Sequence, residues 1–261
     1  MWKNGEILSW EAIEKLHSAT LTDKFKKHKL TFGHVRLTAF SRMNVRLATQ
    51  TMSASVAKSL SDYKNDESFL GTVTDSLIQF LQVVNKFFDC LNGSHDPEGR
   101  RNKSNPFLLP YTSIEDERFK ILKEEVLGFF EEWKVDARNR EGNFTNEDRE
   151  RMMISNLSFE SLQVTIYGFC AAVQFLLRNG FASVDAKDFN QDKLEQYFGI
   201  VRMSGGARNN PTLYRLANTV QALTAQQEIA IPPKKGNTRA NSVTLQVNQE
   251  PLPCRKQSKK K

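Results

Sequence analysis

Apolar side chains recur every three or four residues along the segment from Leu70 to Leu91. The series consists of Leu70, Val73, Leu77, Phe80, Leu81, Val84, Phe87, Phe88 and Leu91. This period is that of an α-helix with one apolar face, so the segment predicts a long amphipathic helix. Such a helix folds only against other apolar surfaces, and the same spacing recurs along most of the chain. The sequence therefore predicts a mainly α fold.

Shorter periodic segments predict the remaining elements. Glu6-Ile7-Leu8 is expected to form a strand edge. One further helix is predicted around Trp10, Ile13 and Leu16, and another from Met43 to Leu60. A third is predicted to begin at a Ser113 cap, with Asp116 three residues on, and to continue through Trp133, and a fourth includes Leu162 and Leu177 and ends at Asn179-Gly180. The last two are predicted from Asp192 to Ser204-Gly205-Gly206 and from Pro211 through Val220.

Composition excludes several kinds of site. The three cysteines, Cys90, Cys170 and Cys254, are far apart and form no CxxC pair, which argues against a zinc knuckle or a disulfide framework. The chain has no HExxH, GxSxG or GxxxxGK[ST] motif. It has no run of 18 apolar residues and no signal peptide at its start, so we expect a soluble intracellular protein without a membrane partner.

The net charge of +7 resides in the C-terminal tail. From Pro232 onward the chain has eight of its 37 basic residues and one of its 30 acidic residues, so 29 of each remain in the body. The tail, 227–261, is proline-containing and poor in apolar residues, which predicts a disordered basic segment. Its terminal cluster, Arg255-Lys256-Gln257-Ser258-Lys259-Lys260-Lys261, fits a nuclear localisation signal or a phosphate contact equally as well as a solubilising tail.

Two acidic residues begin the helix predicted from Asp192. The spacing of Asp192 and Glu195 places both carboxylates on one helix face, with Leu194, Tyr197 and Phe198 turned toward a core. The pair suits a metal ligand and a nucleotide contact. The alternative is a pair of residues that compensate the helix dipole.

A polar stripe ends the long apolar helix. Asn85, Asp89 and Asn92 are spaced i, i+4 and i+7 and therefore share one face. A carboxylate flanked by amides suits a purine edge, because it accepts from ring N–H and exocyclic amino groups. The alternative is a solvated stripe with Asn92 as a C-cap before Gly93.

Basic residues precede the second predicted helix. Lys29-Leu30-Thr31-Phe32-Gly33-His34 and Arg42-Met43-Asn44-Val45-Arg46 place cations ahead of a helix, where phosphates bind well. The alternative is an ordinary solvated basic loop.

Taken in order, these motifs resemble those of the P-element transposases and their THAP-domain relatives. The series is Lys-Leu-Thr…His, Met-x-Val-x-x-Ala-x-Gln-x-x-Ser, Asn-x-x-Phe-Asp-x-Leu-Asn, Gln-Asp-x-Leu-Glu-x-x-Phe and Arg-x-x-Gly-Gly. The resemblance covers Leu8 to Leu223. Phe88-Asp89-Cys90-Leu91-Asn92 and Gln191-Asp192-Lys193-Leu194-Glu195 are its most specific parts.

The resemblance implies an architecture. The family has an RNase H-like catalytic domain with three metal-binding carboxylates, and a helical GTP-binding domain is inserted before the third. The implied domains are 1–20, the end of an RNase H-like segment; 21–185, the GTP-binding insertion; 186–226, C-terminal helices of the RNase H-like domain; and 227–261, the basic tail.

The resemblance also implies residue roles. Glu195 matches the third catalytic, metal-binding carboxylate. The expected GTP contacts are Asp192, Asp89, Asn92 and Asn85, with Val45 and Ser53 framing the nucleotide and Lys29 on its phosphates. Gly33 departs from the family pattern, which tends to have a basic residue there.

The implied function is that of a fragment or truncated copy of a P-element-like DNA transposase, nuclear, with GTP as a cofactor for DNA transposition. The chain is expected to contribute only the third carboxylate and to bind Mg²⁺ only with the two missing Asp residues, so we expect it to be inactive alone. Its partners are expected to be transposon-end DNA and other transposase subunits or a second copy. The alternatives are an inactive GTP- or DNA-binding regulator or scaffold, and a helical domain without a ligand.

Overall fold

The computed structural model describes residues 1–39, 41–95, 105–204 and 212–225. The described chain is mainly helical, which confirms the predicted fold class. Its α-helices are α1 (Glu11–Ala19), α2 (Phe32–Val35), α3 (Val45–Thr51), α4 (Ala54–Tyr63), α5 (Asp75–Leu91), α6 (Glu117–Lys120), α7 (Leu127–Asn139), α8 (Asn146–Glu150), α9 (Asn156–Arg178), α10 (Asp192–Ser204) and α11 (Leu213–Ala225). The chain divides into two compact units, Met1–Asn190 and Gln191–Lys261. The finer domain boundaries at 20, 185 and 226 stay a prediction, and the tail 227–261 lies outside the described residues.

A two-stranded antiparallel hairpin opens the first unit. β1 (Trp2–Lys3) pairs with β2 (Glu6–Ile7), where a strand edge was expected. The turn residues Asn4 and Gly5 have φ angles of 50° and 80°. This left-handed pair matches the right-handed twist of the two strands, so the hairpin closes in two residues.

The stretch from Met43 to Leu60 forms two helices, α3 and α4, so the prediction of one helix is wrong. Ser53 separates them as the N-cap of α4, and its Oγ accepts a hydrogen bond from the Val56 amide at 3.4 Å. A serine hydroxyl satisfies a free N-terminal amide better than it supports a helix interior. The helix therefore restarts at this residue.

The long helix α5 begins five residues later than predicted. Thr74 caps it, with Oγ1 accepting from the Leu77 amide at 3.2 Å. Leu70 lies before the helix and is 65% exposed. Gly71 has a φ of 73°, which is incompatible with an α-helix, so the apolar rhythm extends beyond the helix itself.

The next helix begins at α6, where Asp116 acts as the N-cap in place of the predicted Ser113. Asp116 Oδ1 accepts from the Arg118 amide at 3.0 Å. A π-helical turn, Ile121–Val126, continues α6 into α7. Asp116 therefore fixes the start of this helix. It also binds the side chain of Arg118, which in turn binds the backbone that precedes the helix.

An aromatic cluster joins α5 to α7 in the core of the first unit. Phe80 lies edge-on to Trp133, with ring centroids 5.6 Å apart, and edge-on to Phe130 at 6.4 Å. Burying a side chain of the size of Phe80 stabilises the fold by about 2–3 kcal/mol. This packing fixes α5 and with it the polar residues at its C-terminal end.

Helix α9 ends as predicted, with Asn179 as the C-cap and Gly180 at a φ of 94°. By length and composition α9 is apolar enough to cross a membrane. Ile166 and Cys170 are nevertheless fully buried in the core of the first unit. Other apolar side chains of α9, such as Val164 and Phe175, are exposed, and a single helix of this kind is weak evidence for a membrane span.

The described part of the second unit consists of α10 and α11. Leu194, Tyr197 and Phe198 are 51%, 38% and 46% exposed, so the prediction that they face a core is wrong within this unit. Val201 on α10 is buried. Two helices have too little surface to enclose an apolar face, which is why most of these side chains stay accessible.

Candidate functional site

The C-terminal half of α5 holds a carboxylate between two amides. Asn85 Nδ2 donates to Asp89 Oδ2 at 2.8 Å across one helical turn. Asn105 Nδ2 donates to the same oxygen at 2.9 Å from a different part of the chain. The structure thus brings together two of the predicted residues, Asn85 and Asp89, and adds a third.

The environment of Asp89 is that of a partly buried anion. Burial raises the pKa of its carboxyl, while the hydrogen bonds from Asn105 and Asn85 act in the opposite direction. No cation of the described residues contributes to this balance. Keeping a carboxylate in such a place costs folding free energy, and perturbed groups of this kind concentrate at functional sites.

Asn85 also joins α5 to the N-terminus of α4. Its Oδ1 accepts a hydrogen bond from the Ala54 amide at 3.0 Å. Ala54 is the first residue of α4 and follows the N-cap Ser53. The predicted residues Ser53 and Asn85 are therefore neighbours, and the side chain of Asn85 links the N-terminus of α4 to the Asp89 carboxylate.

Hydrogen bonds continue from Ser53 to the basic motif. Ser53 Oγ donates to the Gln50 carbonyl at 2.8 Å, and His34 Nε2 lies 2.9 Å from Gln50 Oε1. The Thr31 amide donates to His34 Nδ1 at 3.0 Å, so the ring proton is on Nε2 and is donated to Gln50. The polar residues of three sequence motifs thus form one connected series from Thr31 to Asp89.

Three predicted contacts lie outside this series. Lys29 is exposed, two residues before Thr31. Val45 is the first residue of α3 and is 57% exposed. Asn92 Nδ2 donates to the Phe88 carbonyl at 2.8 Å and Asn92 is the C-cap of α5, which is the capping alternative for this residue.

Asp192 and Glu195 both lie in the first turn of α10, as their spacing predicts. Both are exposed, and the Glu195 amide donates to the Gln191 carbonyl at 2.8 Å. Across the described ranges, no three His, Cys, Asp or Glu side chains are grouped closely enough to hold a metal ion. The described residues therefore offer no set of three ligands for Mg²⁺.

The sequence pattern did not reveal Asn105. It lies between α5 and α6, and nothing local indicates contact with a helix residue sixteen positions earlier. Its one local signal is its position before Pro106, where its Oδ1 accepts from the Phe107 amide at 3.0 Å and caps a 3₁₀ turn.

The cations around Lys29 and Arg42 belong to a longer run of basic residues. Between Lys24 and Ser61 the sequence has eight basic residues and no acidic one. These are Lys24, Lys26, Lys27, Lys29, Arg36, Arg42, Arg46 and Lys58, and all eight side chains are exposed. The neutral body therefore contains a strongly basic stretch around α2, α3 and α4, which we call the basic stretch.

Two surface depressions lie away from Asp89. One is lined by Trp2, Gly5 and Arg140, among others, and the second by Glu11, Lys15 and Phe69, among others. The first also has an aspartate, Asp136, but its carboxylate is paired with Lys3 at 3.4 Å, whereas no cation of the described residues acts on Asp89. The candidate site therefore rests on the chemistry of Asp89 and its neighbours, which decides specificity more directly than the size of a hollow.

Comparisons with known proteins identify the domains and the fold. A model of the TNP-like, GTP-binding insertion domain matches residues 1–104, and a model of the TNP-like, RNase H C-terminal domain matches residues 188–215. No curated protein matches the chain. The structure of the Drosophila P element transposase strand transfer complex is similar, with a TM-score of 0.53 and 20% identity over 84% of this chain, which establishes the fold.

The match spans 45% of the Drosophila chain, so this chain corresponds to less than half of that protein. The two domain models match in the order that the sequence motifs predict. The chain is thus transposase-derived and belongs to the P element transposase-like family, of which it has the GTP-binding insertion domain and the RNase H C-terminal domain.

Proposed function

We propose that the chain binds a guanine nucleotide and reads its base with Asp89. The observation that carries this proposal is a partly buried carboxylate with two amide neighbours and no cation among the described residues. Guanine presents a ring N–H and an exocyclic amino group to a carboxylate, whereas adenine lacks that ring N–H. A ligand that donates two hydrogen bonds would compensate this anion, for which the described residues provide no positive charge.

Nucleotide titration of the purified chain tests this function. GTP should bind more tightly than ATP, and Asp89→Ala should abolish the preference. Asp75→Asn is the matched control, because Asp75 is an exposed aspartate at the other end of the same helix and should leave binding unchanged. Equal affinity for the two nucleotides, or full GTP affinity in Asp89→Ala, contradicts the proposal.

On the phosphate side we assign Lys29, with Ser53 and Val45 framing the nucleotide and Asn92 and Asp192 as further contacts. Lys29 is an exposed cation near the hydrogen-bonded series that leads to the N-terminus of α4. A helix N-terminus favours anions through its free amides. Lys29→Ala should weaken GTP binding more than guanosine binding, while Lys120→Ala on α6 should change neither.

DNA is a second ligand, favoured by the basic stretch. Eight exposed cations without an intervening acid suit a phosphate backbone, and the exposed rings of Phe25 and Phe32 suit base stacking. Duplex binding should weaken steeply with salt. Replacing Arg42 or Arg46 by Ala should each reduce the slope of log affinity against log salt by about 1. An unchanged slope in both variants contradicts this surface.

For catalysis we infer that the chain supplies Glu195 as a single carboxylate of a metal site. Two-metal phosphoryl transfer needs several carboxylates around ions about 4 Å apart, so no catalytic step is assigned to this chain alone. A regulator or scaffold that binds GTP or DNA is the alternative activity, and a nuclear location is part of both proposals. DNA cleavage by the purified chain with Mg²⁺ would overturn the inactive assignment.

A further inference from the structure

The segment Asn105–Tyr111 lies against the C-terminal end of α5 and is attached to it at both ends. Asn105 contacts the Asp89 carboxylate at 2.9 Å. The hydroxyl of Tyr111, a fully buried residue, donates to the Cys90 carbonyl at 3.0 Å. Adjacent residues of α5 thus hold the two ends of one segment, which makes the segment a wall of the Asp89 site.

The middle of this segment is in close backbone contact with Gly93. A Cβ at Gly93 would lie 2.6 Å from the Leu109 carbonyl oxygen, closer than real Cβ atoms approach. The Ser94 amide donates to the Leu108 carbonyl at 2.9 Å. The absence of a side chain at Gly93 is therefore what lets the segment approach α5, and any larger residue would displace it.

Arg118 holds the same segment from the opposite side. Its guanidinium is buried and donates to the carbonyls of Phe107 at 3.2 Å, of Leu109, and of Pro110 at 3.0 Å. It also lies 3.6 Å from the centroid of the Tyr111 ring. One side chain thus satisfies three backbone carbonyls of the loop.

Asp116 fixes the orientation of the Arg118 guanidinium. Nε donates to Asp116 Oδ1 at 2.8 Å and Nη2 to Oδ2 at 2.6 Å. Burial alone would raise the pKa of Asp116, but the hydrogen bonds from Arg118 and its charge lower it overall. With two bonds to Asp116 and three to the loop, the planar fork uses all five of its N–H groups, an arrangement that a lysine cannot reproduce.

We propose that Asn105 is a positioning residue of the guanine-reading site and that the Arg118–Asp116 pair holds it against Asp89. This inference rests on the proposed function and extends it beyond residues 1–104, the range of the GTP-binding domain model. Asn85 and Asn105 both donate to Oδ2 of Asp89, so the carboxylate is fixed through one oxygen. Fixing the carboxylate in this way before the ligand arrives lowers the entropy lost on binding.

Asn105→Ser is the decisive variant. Serine keeps an oxygen that caps the 3₁₀ turn but loses the amide that reaches Asp89. A hydrogen bond to a charged group is lost, so GTP affinity of the full chain should fall about tenfold. The pH profile of binding should move upward, because the ionised carboxylate loses a donor. Asn179→Ser, at the C-cap of α9, is the matched control and should alter neither readout.

Arg118→Lys tests whether Arg118 holds Asn105 against Asp89, through a double-mutant cycle with Asn105→Ser. If Arg118 acts by holding Asn105, the two variants should be non-additive in GTP affinity, and Arg118→Lys should add little in an Asn105→Ser background. Additive effects overturn the role of Arg118. A falling melting temperature with unchanged affinity and pH profile in Asn105→Ser shows a purely structural role and overturns the inference. Absent GTP binding in the unmodified chain is a different result, which overturns the proposed function itself and this inference with it.

Discussion

His34 Nε2 and Gln50 Oε1 lie 2.9 Å apart, and this contact joins α2 to α3. His34 is buried, and its Nδ1 accepts from the Thr31 amide at 3.0 Å. Both ring nitrogens are thus used within the protein. A histidine and a glutamine in motifs that suggest a ligand site instead hold the helices that form the site, so their effect on nucleotide binding is indirect.

The first prediction concerns this contact. Gln50→Leu removes the acceptor and leaves the N–H of His34 buried without a partner, which costs about 1–3 kcal/mol. Chemical denaturation should show this loss in the free energy of unfolding. Gln82→Leu is the matched control, since Gln82 is exposed on α5. Equal denaturation midpoints for Gln50→Leu and the unmodified chain would mean that water replaces the lost acceptor.

The second prediction is that the ionised Asp89 lowers the free energy of unfolding while it enables guanine binding. Burial raises the pKa of Asp89 in the folded protein, so its ionised form is favoured less in the fold than in the unfolded chain. The stability contributed by Asp89 is full below its unfolded pKa of about 3.9 and is lost as pH rises through the higher folded pKa. Asp89→Asn should therefore raise the free energy of unfolding at pH 7 while abolishing guanine recognition.

Thermal denaturation between pH 3 and pH 8 measures this effect. The higher melting temperature of Asp89→Asn relative to the unmodified chain should shrink as pH falls below about 4, where the Asp89 carboxyl is protonated and uncharged. Asp75→Asn should show no such advantage at pH 7, because Asp75 is exposed and paired with Lys64 at 2.6 Å. A less stable Asp89→Asn at neutral pH would assign the carboxylate a structural role.

Helical periodicity predicts the architecture well because it reports which faces are buried. It predicts the existence of α5 and α9, but it misplaces the start of α5, since Leu70 and Val73 continue the rhythm before the Thr74 cap. Capping decides the ends. Thr74 and Asp116 each have a side-chain oxygen that accepts from a helix amide, and several residues nearby have the same chemistry. The choice among them depends on tertiary packing.

The candidate site is predictable only where its residues share one element. Asn85 and Asp89 are one turn apart on α5, so their spacing suffices. Asn105 reaches Asp89 across a loop, and its position depends on the buried Arg118. Contacts of this kind follow from the closure of the loop rather than from any local pattern.

The third prediction concerns Lys3, which is 1% exposed. Its Nζ lies 3.4 Å from Asp136 Oδ2 and 4.8 Å from the centroid of the Phe129 ring. Asp136→Ala leaves this ammonium buried without a carboxylate and should cost about 3 kcal/mol of unfolding free energy. Lys3→Met removes the charge at similar volume and should be nearly neutral or stabilising. Denaturation of the two single variants and the double variant tests this, and an unaffected Asp136→Ala would contradict it.

The fourth prediction concerns the buried thiols. Burial raises the pKa of Cys90 to about 12 and also raises that of Cys170, and both side chains are fully buried. The thiolate is the nucleophile, so at pH 8 nearly all of the Cys90 thiol is in its unreactive protonated form. Iodoacetamide should leave both residues unmodified in the native chain and alkylate both in 6 M guanidinium, as peptide mass spectrometry would show.

Their slow native modification should follow the rate of unfolding, so a destabilising variant such as Gln50→Leu should accelerate it at both cysteines together. Alkylation of Cys90 at the rate of an exposed cysteine, without unfolding, would mean that the end of α5 opens locally and that the wall formed by Asn105–Tyr111 is not closed.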